Sequence, residues 1–310
     1  PMALELDGVI SGGGLITNGI VSLTNPNNTY TGPTIVNNGT LNLLSSGGAA
    51  VSGSSLFAGS APGNSVVNIG DTTALSAWYI LLGNVTKGVG AVYQTGGTVN
   101  ANGPSGFDNL SVGNFGGGYG YYAANGGTFT VNGICIGGEA NDGNGANFNA
   151  PGGNGIMEIN GGTVNDTGWL VLGRQGGGTI APSTGILNVY SGSLTFAGGG
   201  MVGPWSPGLT VTVNILGGNV TSSVGVGMGN TTSPATLNLN GGLLGVSLIQ
   251  GNFNTTAGLL NFNGGTLQAT GDGTNFIAVN TAYVYGGGAV IDNNGHAFQI
   301  NQPLLAPTGN

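Results

Sequence analysis

The sequence predicts an all-β chain wound into a parallel β-helix (β-solenoid), with three short strands per coil and Gly-rich corners. Three observations carry this reading: one phrase recurs along the chain, its apolar residues alternate in steps of two, and glycine interrupts every apolar segment. The closest copies are LNLNGGLLGV from Leu237 and LNFNGGTLQA from Leu260. Looser copies are VYQTGGTVNA from Val92, YAANGGTFTV from Tyr122, MEINGGTVND from Met157, LNVYSGSLTF from Leu187 and VNILGGNVTS from Val213. Their starts are separated by 30, 35, 30, 26, 24 and 23 residues. Repetition at roughly 20–50 residues marks stacked units that bury their apolar faces against one another.

Composition agrees with a folded chain. The 310 residues include 68 glycines and only 4% charged residues, far from an average globular protein. Such glycine content alone would suggest a linker, but 39% of the chain is hydrophobic, and that apolar surface is distributed periodically. The whole chain, residues 1–310, reads as one solenoid domain. Residues 1–45 form N-terminal repeat-like coils, 46–257 central coils with insertions around 102–156, and 258–310 C-terminal coils.

Within each copy the alternation is that of a strand: Leu260 and Phe262 before the glycine pair, Leu267 and Ala269 after it. The pairs Gly96–Gly97, Gly126–Gly127, Gly161–Gly162, Gly217–Gly218, Gly241–Gly242 and Gly264–Gly265 are read as corners, where positive φ turns the chain. The second glycine of the two closest copies, Gly242 and Gly265, is expected to hold a conformation costly for other residues. A third apolar segment follows most copies, beginning near Leu110, Ile134, Trp169, Val224 and Ser247. A propeller blade needs about 40 residues, too many for the last intervals, and hairpins favour two-residue turns. Helical runs at spacing three and four are missing from the sequence. In such a stack similar side chains pile into columns, aliphatic ones inside, Asn and Thr at corners or faces. Trp78 and Trp169 are expected at equivalent positions of different coils, as packing elements.

Residues 12–44, GGGLITNGIVSLTNPNNTYTGPTIVNNGTLNLL, resemble the autotransporter-associated β-strand repeat of secreted bacterial proteins. Asn28, Tyr30, Thr31, Gly32, Thr34, Gly39, Thr40 and Leu41 match its pattern, while its usual Lys is missing at Ile16–Thr17 and Pro33 replaces a corner Gly. Residues 262–305 are similar to C-terminal coils of the same protein type. The resemblance implies a right-handed β-helix on the outside of a bacterial cell, as a passenger or surface fibre, and implies no reaction. Neither a translocating barrel nor a secretion signal lies within these residues, so a chain beginning at Pro1 is expected to be processed or to belong to something longer. No apolar run reaches the roughly 20 residues of a membrane helix, and no membrane span is expected.

The chemistry-bearing residues are sparse. Two basic residues, Lys87 and Arg174, face ten acids, for a formal charge of −8, which excludes nucleic acid and disfavours anionic lipid. The best carboxylate group a solenoid could assemble is Glu139 and Asp142 with Glu158 or Asp166 one coil later, and Arg174 following. Without a Gly-Gly-x-Gly-x-Asp calcium repeat or a second cation, these read as solvated corner residues. Lys87 and Arg174 receive the same reading. His296 has no Cys or His neighbours for a metal and is expected to be exposed and structural. Cys135, the single cysteine, permits no intrachain disulfide and reads as a small core residue if it points inward. Asn38, Asn84 and Asn219 open glycosylation-type triplets that chance explains in so Asn- and Thr-rich a chain. No cofactor, metal or catalytic residue is expected.

Three functions stay open: a subunit of an extracellular fibre, an adhesin or passenger binding a glycan or surface, and a carbohydrate-active enzyme. The first is favoured, since nothing concentrates chemistry. A solenoid exposes two open ends, and neither here carries an amphipathic cap. Leu4, Leu6 and Val9 at one end, and Leu304 and Leu305 at the other, are expected to form a head-to-tail contact between copies of the chain. An adhesin would instead show a local departure from the repeat, sought in the loops around 102–156.

Overall fold

The computed structural model describes residues 3–44, 49–50, 54–104, 108–138, 152–174, 182–198, 200–203, 208–230, 232–251 and 257–307. Among these there is no helix, and the strands join in one 31-stranded sheet. Its pairings are parallel, apart from the short hairpin of Gly229–Asn230 with the start of Ser233–Leu239. Each strand pairs with counterparts about one coil before and after it, the connectivity of a parallel β-solenoid. The central coils have three faces, taken in order along the chain. Face A includes Gly88–Gln94 and Tyr119–Ala124, face B Thr98–Ala101 and Thr128–Val131, and face C Leu110–Val112 and Ile134–Ile136.

The repeated phrase sets the register. Val92, Tyr122, Met157, Leu187, Val213, Leu237 and Leu260, the first residues of the seven copies, are successive partners in one column of face A. Earlier rungs are Val67, Leu41, Val21 and Leu4; later ones are Ala282 and Leu304. At about 4.8 Å per rung this column has a length on the order of 60 Å. The third segments form face C, where Leu110, Ile134, Leu170, Met201, Val226 and Ile249 are likewise in register.

Alternation then sorts side chains. Inward columns hold Leu237, Leu239, Leu260 and Phe262, all fully buried, and each such burial contributes about 1.5–3 kcal/mol. The outward column of face A holds Asn188, Asn214, Asn238 and Asn261. Each of the last three donates its Nδ2–H to the preceding Oδ1, at 2.7–2.8 Å. Asn68 and Asn42 form a similar pair in the N-terminal half at 2.8 Å. Amides stacked at the rung spacing satisfy one another, so a half-buried polar face carries little desolvation cost.

Five of the six glycine pairs break the strand as corners. Gly97, Gly127, Gly218 and Gly242 have φ of 63–71°, with a neighbouring coil's backbone where a side chain would begin. Gly265 departs from expectation: at the last corner the positive φ falls on Gly264, at 104°. A Cβ on Gly265 would still lie 2.6 Å from Leu239 Cγ, so its constraint is packing rather than backbone conformation. Gly161 and Gly162 do not end a strand. Asn154–Asp166 runs through them, with register shifts on either side of Asn160, so the bend is taken up as an irregularity within the strand.

The residues behind the autotransporter-like resemblance have folding roles. Asn28 Oδ1 accepts the Ile10 N–H at 2.9 Å, and buried Tyr30 shares a 2.8 Å hydrogen bond with Thr34 Oγ1. They pin a loop across coils whose face B is not yet formed. The two tryptophans are not equivalent. Ile80 and Leu170 align through Leu110 and Ile134, which matches Trp169 to Tyr79, one position later than Trp78. Trp78 is displaced to the corner and is 44% exposed, so it is not a core packing element. Cys135 is buried, but it alternates with inward Ile134 and Ile136 in an outward column with Leu81, Ser111 and Val171, covered by local chain such as Gly138.

Candidate functional site

The first and last described strands are Leu4–Leu6 and Leu304–Leu305. Between Leu41 and Ala282 every rung of the Leu4–Leu304 column is at most 4% exposed, whereas Leu4 is 56% and Leu304 38% exposed. Leu6, Ile10 and Leu15 at one end, and Ile291, Phe298 and Ile300 at the other, pack on the core with partial exposure. Among the described residues strand Leu4–Leu6 pairs only with Val21–Leu23, and Leu304–Leu305 only with Ala282–Tyr283, so each has one unpaired backbone edge there. Val9 is exposed at the first end. Leu305 does not belong to the apolar cross-section: it aligns with Tyr283 and the outward asparagine column, because side chains alternate and Leu304 takes the inward place.

The charged residues assemble differently from expectation. Arg174 is not a solvated corner residue; its Nη1 donates to Asp108 Oδ2, across 66 residues of sequence. Asp166 occupies an inward column of face B, between Val131 and Phe196. There its Oδ1 accepts the N–H groups of Gly133 and Gly168 at 2.9 and 2.8 Å. Burial pushes the carboxyl groups of Asp108 and Asp166 up to about 6; the Arg174 charge opposes this at Asp108, and at Asp166 the two N–H donors oppose it while the nearby Asp108 charge adds to it. Asp108 Oδ1, Asn109 Oδ1 and Asp166 Oδ2 are buried without a hydrogen-bond partner. In this cluster Asp108 and Asp166 are 1% and 2% exposed. Glu158 is not part of it, lying on the outward side of face A, and Glu139 and Asp142 lie outside the described residues. Lys87 is an exposed corner residue with φ of 64°.

Two clefts remain. One at the C-terminal coils is lined by Asp272, Thr274, Asn293, His296 and Gln299. Half-exposed His296 approaches Asp272 with Nδ1 at 3.2 Å, and the Ala297 N–H together with His296 holds the Asp272 carboxyl below its usual value. Among the described residues no group of three His, Cys, Asp or Glu converges as a metal site. The second cleft, about 360 Å³, lies on the outward side of face A between Tyr119, Tyr121, Asn154, Ile156 and Ile186. Sequence reading missed Asp108, whose link to Arg174 spans two coils. It flagged the tyrosine-rich stretch only as a departure from the repeat. No helix of the described residues is long and apolar enough to cross a membrane. Comparison with protein families, curated proteins and solved structures finds no match.

Proposed function

We propose that this chain is a non-enzymatic structural subunit of an extracellular fibre of the autotransporter-repeat kind, built by head-to-tail stacking of solenoids. The observation that carries the reading is the inward column that begins at exposed Leu4 and ends at exposed Leu304. A second copy stacked at the rung spacing would set Leu304 beneath Leu4 and pair the two free strand edges. It would bury the half-exposed residues of both cross-sections. This contact is heterologous and does not close on itself, so it propagates. Scarce charge favours it, since few ions need desolvation at the joint. Among the described residues the buried acids Asp108 and Asp166 are 1% and 2% exposed, which supports a structural role over catalysis.

The test is electron microscopy and sedimentation of the purified chain, unaltered, with residues 1–10 deleted, and as Leu304→Asp. Filaments from the first and monomers from the two variants are expected. Filaments formed equally by all three, or by none at any concentration up to precipitation, overturn the reading.

A further inference from the structure

The asparagine column of face A is interrupted at successive rungs by Tyr93, Ala123 and Glu158. Beside the interruption, Tyr119 is 55% and Ile156 37% exposed, over a cleft of about 360 Å³, within the roughly 300–1,000 Å³ range of ligand sites. Tyr93 and Tyr121 set their rings 5.4 Å apart at 51°. The Tyr121 hydroxyl donates to Glu158 Oε2 at 2.7 Å, and Asn188 Nδ2 donates to Oε1 at 3.3 Å. The carboxylate is thus held in one orientation, with lone pairs left to accept from a further donor.

We propose that this cleft binds a neutral, hydroxyl-rich glycan chain lying across the coils. The exposed face of Tyr119 and the side chain of Ile156 suit the apolar face of a sugar ring, while Asn154 in the lining and Glu158, just beyond it on the Tyr121 hydroxyl, suit its hydroxyl edge. Two rival ligands fit poorly. An extended peptide would seek a free strand edge, but Tyr119–Ala124 is already paired on both sides, to Gly88–Gln94 and to Asn154–Asp166. An acidic polymer would need cations, and the cleft lining contains none. The site lies along the solenoid wall, away from the open ends, so it stands or falls independently of filament formation.

Isothermal titration calorimetry of the full chain with cellohexaose, laminarihexaose, maltohexaose and mannohexaose tests this, with pentagalacturonate and phosphatidylcholine vesicles for comparison. Binding of at least one neutral hexasaccharide is expected, weakened at least about tenfold by Tyr119→Ala or Glu158→Gln and unchanged by Tyr285→Ala. Tyr119 and Tyr285 are both exposed, so neither variant removes core packing, and equal melting temperatures check this. The proposal is overturned by no binding across the neutral panel, by binding that survives both cleft variants, by equal loss in Tyr285→Ala, or by vesicles or pentagalacturonate binding more tightly than every neutral sugar.

Discussion

Leu4 and Leu304 stand at opposite ends of a single inward column, and they alone in it are exposed, at 56% and 38%. Leu305, its neighbour in sequence, points to the outer wall. This alternation gives a test finer than truncation. Leu304→Asp places a charge in the apolar cross-section and should abolish filaments, whereas Leu305→Asp should leave most assembly intact. Equal effects of the two, read by sedimentation, would show that the contact is not an in-register continuation of the coil.

The buried acids predict an unusual pH profile. Burial raises the carboxyls of Asp108 and Asp166 from an ordinary 3.8 to about 6. Between those values the folded chain binds more protons than the unfolded one, so stability falls as pH rises through about 4 to 6 and is flat above. Asp272 and Asp292, whose carboxyls are held low, act in the opposite sense only near and below pH 4. Asp166→Asn keeps the acceptor for Gly133 and Gly168 and removes the charge. It should stabilise the chain by roughly 1–3 kcal/mol at pH 8 and change little at pH 4, measured by thermal melts across pH.

Corner glycines differ in kind, and substitutions should separate them. Gly242→Ala meets both a φ of 63° and Gly218 O at 2.5 Å, and should cost more than the roughly 1 kcal/mol of an ordinary Gly replacement. Gly161→Ala, in continuous strand, meets its nearest atom at 3.0 Å and should cost less. Denaturant midpoints of the two variants check the order.

The asparagine column should be sensitive to charge. Asn238 donates to Asn214 and accepts from Asn261. Asn238→Asp keeps the second bond but turns a carboxylate oxygen toward the Asn214 acceptor, so a loss of about 1–2 kcal/mol is expected, larger than for the isosteric Asn238→Leu on a half-buried face. Melting temperatures that rank the two the other way would mean that the amide column contributes little.

The sequence by itself determined the coil: the seven copies of the phrase are the rungs that pair, because a solenoid places each repeat on its predecessor and period-two alternation fixes which side faces in. Leu4, Leu6 and Leu304, read from the sequence as part of an assembly contact with Val9 and Leu305, lie in the first and last described strands. What only the tertiary structure decided lies where neighbours from other coils set the outcome. Arg174 meets Asp108 across two coils, Asp166 enters an apolar column, Trp169 aligns with Tyr79 instead of Trp78, and the positive φ of the last corner moves to Gly264. The tryptophan offset follows from segments of uneven length, which shift a side chain by one residue at a corner. Local periodicity fixes the spacing within a strand, but only stacking fixes what a corner side chain meets.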